Sequence, residues 1–212
     1  MRNLFVDYFP CKDNHRKSEY EFCLKKNSEL DYFDNIYLIT NIEPPFSSPK
    51  FKTIPCFRDR TFYQDIFNLD IFTDDSINMI ANSDIYFDES ISKVDNVLTN
   101  EVALGLSRTY PKDDFYIKVG FHHNGKASPG SNDVWIWRGK CKVKNGNFEV
   151  GYTACDCRIM QCFVEADYRV YNPAKSIQVW HKHTIRKGDG PPRVDGPYWH
   201  SPNDHHTIED VK

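Results

Sequence analysis

The segment Asn82-Ser83-Asp84 follows the apolar run Ile77 to Ala81 and sets an amide and a carboxylate at the end of what reads as a strand. Oxygen ligands of this kind suit Mg²⁺ or Mn²⁺, which bind through one or two carboxylates and leave the remaining positions to water and substrate phosphates. Much later, Trp180-His181-Lys182-His183 spaces two imidazoles so that in an extended segment both face the same side, where they can ligate one ion. Asp156 offers a carboxylate able to take a proton from a hydroxyl. Asp133 and Trp135 share one face of a strand with Trp137, where a carboxylate can accept sugar hydroxyls beside an aromatic platform. Each residue also has a local reading. Asp84 and Asn82 can be turn residues, His181 a backbone-bonded histidine, Asp156 the acid of a capping box with Thr153, and the tryptophans plain core.

Asn82-Ser83-Asp84 resembles the Asp-x-Asp motif of GT-A glycosyltransferases, with Asn82 at the first acidic position and Asp84 at the last. Other segments resemble compact members of that family in the same order: Leu4 to Phe9, Arg60 to Asp65, Asn132 to Gly139, Cys155 to Ile159 and Tyr171 to Ile177. The resemblance implies an α/β, Rossmann-like single domain with a mostly parallel central sheet flanked by helices. It also implies transfer of a sugar from a nucleotide-diphosphate donor, a uridine one by expectation, to a carbohydrate or other hydroxyl acceptor. Mn²⁺ or Mg²⁺ would sit on Asp84 and His181, and Asp156 would be the base of an inverting reaction, although Cys155 stands where such enzymes carry a first acid. Donor contacts would fall to Tyr8, Arg60, Tyr63, Asn82, Ser83 and Asp84, and sugar or acceptor contacts to Asp133, Trp135 and Arg158. Arg108, Arg186 and Arg193 are further basic residues able to hold a diphosphate. The alternatives are a binding module for carbohydrate or nucleotide without turnover, and a metal-dependent nucleotidyltransferase.

Composition frames these expectations. The 212 residues, 40% hydrophobic and 15% aromatic, are enough for one core. A net charge of −3 gives no general electrostatic footprint for nucleic acid. No apolar run approaches the roughly 20 residues of a membrane span, and the N-terminus lacks the hydrophobic stretch of a signal peptide, so a cytosolic chain is expected. Seven cysteines without paired metal-finger spacing read as reduced, mostly buried thiols. The histidines near the C-terminus have poor zinc-ligand spacing.

The elements that must position these groups alternate through the first half. Strands are expected at Leu4 to Phe9, Asn35 to Thr40, Lys52 to Pro55 and Met79 to Phe87. Helices are expected at Asn14 to Glu29, with Tyr20, Cys23, Leu24 and Asn27 inward and a Glu21/Lys25 pair outward, and at Phe62 to Asp70. This order predicts a parallel sheet that binds ligands beyond its carboxyl ends. The second half predicts strands at Val102 to Tyr110, Phe115 to Phe121, Val134 to Trp137, Lys142 to Val150 and Ile177 to Trp180, and a helix from Asp156 to Asp167. Residues 1–110 would form the donor half, 111–185 the acceptor and catalytic half, and 186–212 a flexible tail or lid.

Overall fold

Leu4 and Val6 alternate with Phe5 along the first strand, and all three are fully enclosed, which requires a packed layer on each face of the sheet. The computed structural model describes residues 1–112, 114–115, 131–184, 192–198 and 205–211. Its main sheet has seven strands, in the order β3-β2-β1-β4-β7-β6-β8. They are β1 (Arg2–Asp7), β2 (Asn35–Thr40), β3 (Phe51–Pro55), β4 (Ile77–Ala81), β6 (Val102–Leu106), β7 (Val134–Arg138) and β8 (Arg169–Tyr171). β1, β2, β3 and β4 pair in parallel, as do β6 and β8, while β7 runs antiparallel between β4 and β6. The fold is α/β with a mostly parallel central sheet flanked by helices.

The two side-chain sets of each strand feed two cores. Leu4, Val6, Ile36, Leu38 and Met79 pack with Leu24 of helix α1 (Asn14–Glu29) and with Ile91 and Val94 of a 3-10 segment, Glu89–Asn96. On the opposite face, Phe5, Ile80, Trp135 and Trp137 pack against α2 (Tyr63–Phe67) and α3 (Cys155–Glu165). Both faces of the sheet thus exclude water, and its strand ends are the place left for polar chemistry. No helix among the described residues is long and apolar enough to cross a membrane.

Asp13 begins α1 by accepting from the amides of His15 and Arg16, which satisfies two of the helix's orphan donors. The buried face of α1 is Glu19, Cys23, Leu24 and Asn27, with Tyr20 only half-buried. Its outward ion pairs join Lys17 to Glu21 and Lys25 to Glu29 in place of the expected Glu21/Lys25 contact.

The predicted strand Met79 to Phe87 is two strands in two sheets. The chain leaves the main sheet at Ala81, turns through Asn82 to Asp84, and enters β5 (Ile85–Phe87), which among the described residues pairs only with β9 (Val179–His181), antiparallel. Both sides of this small sheet are covered. The Asn27 side chain donates to the Ile85 carbonyl and accepts from the Phe87 amide, while Thr109 exchanges backbone hydrogen bonds with Val179 and His181.

Lys142 to Val150 keeps a strand-like alternation of buried and exposed residues but joins no sheet. Its backbone is taken by the start of α2, where the Tyr63 and Gln64 amides donate to the Phe148 and Gly146 carbonyls. The strand expected at Val102 to Tyr110 ends at Leu106. The short strand β8, three residues paired parallel to β6, carries too little apolar alternation to be expected from sequence. Most of the expected strand Phe115 to Phe121 lies outside the described residues. In the expected tail, Pro192 and Val194 bond to the Thr153 backbone and His206 to Asn172, so the described parts of 186–212 are held against the body. All seven cysteines are free, with Cys23, Cys141, Cys155 and Cys162 buried.

Candidate active site at the carboxyl end of the sheet

The turn after β4 aims Asp84 at two groups brought from distant elements. β9 sets His181 opposite Ile85, and its Nε2 lies 3.3 Å from Asp84 Oδ2. α1 supplies Arg16, whose Nη2 donates to the same oxygen at 2.7 Å. Behind the imidazole, Nδ1 of His181 stands 2.9 Å from Asp114 Oδ2, an arrangement that orients the ring and leaves Nε2 toward Asp84. Burial pushes the Asp84 carboxyl up, but His181 and Arg16 outweigh it and hold the group far below the ordinary carboxylate range. The converse holds for His181, where burial lowers its pKa and Asp84 with Asp114 more than reverses the effect. His183 is pushed down to about 4, first by burial and then by Arg16 and His181, which leaves it a neutral imidazole near pH 7.

Asp84, His181 and His183 each offer a ligand atom, and the three atoms lie within 4.8 Å of one another. This set of one carboxylate and two imidazoles fits a divalent cation, and the nitrogen ligands favour Mn²⁺ over Mg²⁺. Asp114, placed behind the His181 ring, is the supporting carboxylate such a site requires. Arg16, Glu19 and Asp114 form the frame of this cluster and had no place in the sequence reading. Their signal was faint: Arg16 and Glu19 lie one helical turn apart, at i and i+3, and a buried glutamate on a helix needs a cation.

A second polar cluster gathers where β7 and α3 begin. Asn82 Nδ2 and Arg108 Nη1 donate to Asp133 Oδ1 at 3.1 and 2.8 Å, and Arg108 also reaches the Tyr110 hydroxyl. Asp156 Oδ2 accepts from the Asn132 amide at 3.4 Å. Burial raises the Asp156 pKa, and the negative charge of Asp133 raises it further. The capping box expected of Thr153 and Asp156 is not formed: Ala154, with φ of 66°, holds the cap position and no side chain bonds there. Asn82 Oδ1, Asn132 Nδ2, Asp133 Oδ2 and Trp135 Nε1 are buried without a hydrogen-bond partner among the described residues. Arg108 is within electrostatic reach of both Asp84 and Asp156 and so links the two clusters.

Several predicted contacts are placed elsewhere. Tyr63 is fully enclosed and its hydroxyl meets Cys155 Sγ at 3.3 Å, so its ring cannot lie on a nucleotide base. Trp135 is equally enclosed, edge-on to Tyr63 with centroids 5.1 Å apart, and is a core residue rather than a sugar platform. Both follow from α2 and α3 covering that face of the sheet. Arg60 donates to Asp7 at 2.6 Å and to the Val150 carbonyl, which makes it a strut at the end of β1. Arg158 pairs with Glu165 along α3 rather than turning toward Asp156. Ser83 donates to the Asp7 carbonyl. Tyr8 lines a cleft of about 160 Å³ with Phe9, Pro10, Cys11, Lys17, Tyr20 and Ile42. Arg193 stacks on Tyr198, and Arg186 lies outside the described residues.

No protein-family model matches the chain, and no curated protein matches it. Among solved structures, it is similar to the 2-C-methyl-D-erythritol 4-phosphate cytidylyltransferase of Francisella tularensis, with 10% identity and a TM-score of 0.36 over 66% of this chain and 70% of that one.

Proposed function

We propose that the chain is a metal-dependent transferase that moves a sugar from a nucleoside diphosphate sugar, a uridine one by expectation, to a hydroxyl acceptor. One observation carries this reading: the strand ends bring Asp84 together with His181 and His183, their ligand atoms within 4.8 Å of one another, and set a second carboxylate, Asp156, in a separate polar cluster with Asn132 and Asp133. A cation grip and a proton acceptor are the two devices that sugar transfer from a diphosphate requires.

In this reading Asp84 and His181 hold Mn²⁺ or Mg²⁺, with His183 as a third ligand. The cation, when bound, supplies charge neutralisation for the departing diphosphate. Asp156 takes the proton of the acceptor hydroxyl, and its raised pKa brings its basicity closer to the working pH. Asn82, Asn132 and Asp133 present buried donors and acceptors suited to sugar hydroxyls, because such atoms are costly to leave unpaired. Arg108 holds Asp133 in place through Oδ1. The cleft beside Tyr8 is smaller than the roughly 300–1,000 Å³ of whole-ligand sites and suits one planar ring, such as a base.

The test is product analysis with nucleotide sugars and Mn²⁺. Release of nucleoside diphosphate that disappears with Asp84→Asn supports the proposal. Release of pyrophosphate would favour nucleotidyl transfer at the same strand end. Binding of nucleotide sugar without either product would reduce the chain to a binding module.

A further inference from the structure

Arg16 is the one member of the Asp84 cluster that a metal centre does not call for. Its Nη2 donates to Asp84 Oδ2 at 2.7 Å, the same oxygen that faces His181 Nε2. Its Nη1 pairs with buried Glu19 and reaches the Lys182 carbonyl at 3.4 Å, and the guanidinium lies 4.9 Å from the Tyr20 ring centroid. The group is therefore held in place from several sides and always charged. A guanidinium and a divalent cation cannot share one carboxylate oxygen in a half-buried site without strong mutual repulsion. Removing Arg16 would leave a centre that attracts cations, since Glu19, Asp84 and Asp114 all carry carboxylates around it.

We infer that Arg16 is a displaceable counterion of Asp84: it matches the carboxylate when no divalent cation is bound and must give up Oδ2 for one to bind. The inference rests on the reading of Asp84 and His181 as metal ligands. Its consequence is that Arg16 weakens metal binding, the opposite of what a residue supporting the ligands would do.

Mn²⁺ binding to the full chain, followed by the loss of the free-ion electron paramagnetic resonance signal and by calorimetry, tests this without reference to turnover. Arg16→Gln is expected to bind Mn²⁺ more tightly than wild type by about tenfold or more, because the repulsion between adjacent positive charges is removed. Arg16→Met, which keeps an apolar stem against Tyr20, should shift in the same direction and carries the comparison if the glutamine variant does not melt cooperatively. Asp84→Asn should abolish binding in both backgrounds. Binding by wild type that is unchanged or weakened in the Arg16 variants overturns the counterion role and leaves the metal reading standing. No Mn²⁺ binding by folded wild type or folded Arg16 variants overturns both.

Discussion

Asp84 and Asp156 lie in regions served by helices on opposite faces of the sheet, and their surroundings treat a negative charge in opposite ways. Around Asp84, α1 and β9 supply Arg16 and His181, and behind these stand Glu19 and Asp114, so that acids and bases alternate and the carboxylate stays ionised. Around Asp156 another acid, Asp133, outweighs the opposing charge of Arg108; Asp133 Oδ1 is committed to Arg108 and Asn82, while Oδ2 has no partner among the described residues. The lesson is that carboxylates near the same strand ends take different chemical roles through what packs on them.

The largest expected effect separates the two acids by function. Asp156→Asn should lower turnover about a hundredfold to ten-thousandfold while leaving Mn²⁺ affinity unchanged, whereas Asp84→Asn should lose the metal along with the activity. Equal loss of Mn²⁺ binding in both variants would erase the contrast. Trp135→Ala comes next, with an expected cost of about 3–5 kcal/mol in stability, measured by denaturant unfolding. A sugar platform would instead show weaker ligand binding with little change in stability.

Melting temperature against pH sharpens the comparison, because the two acids should show opposite signs. The Asp84 pKa is depressed by folding, so its stabilisation is present above about pH 4 and is lost as pH falls through the folded value. The stability gap between wild type and Asp84→Asn should therefore shrink in acid. The Asp156 pKa is raised, so its neutral form is favoured in the folded chain and wild type loses stability relative to Asp156→Asn as pH rises from about 4 through the folded value. Parallel curves for the two variants would contradict the assignment. The smallest expected effect is Tyr63→Phe, about 1 kcal/mol or less for one buried hydrogen bond to Cys155, with nucleotide affinity unaffected.

Much of this contrast was legible in the sequence, but unevenly. The alternating first half gave α1 and β2 to the residue and β1 displaced by two residues, because apolar runs and helical periodicity are local signals. Asp84, Asp156 and His181 were visible as residue types at element ends. Their environments were not, since Arg16 meets Asp84 across 68 positions and Asp114 meets His181 across 67. Alternation places Trp135 on a shared face without saying what covers it, and the position of Tyr63 at the head of a helix does not say which way its ring is packed. Lys142 to Val150 shows the same limit: the period was right, but the hydrogen-bond partner was the start of a helix.

Asn27 gives the small sheet behind the site a further property. Its amide mimics a strand, accepting and donating along one edge of β5, and Thr109 lies along the outer side of β9. A two-stranded ribbon three residues long would ordinarily offer open edges to any passing chain. Here the edges are already taken, so the ribbon that carries His181 is guarded against strand addition. Asn27→Leu, which keeps the branched shape but removes both polar groups, would leave the Ile85 carbonyl and the Phe87 amide unpaired beneath α1 and loosen the ribbon that holds His181.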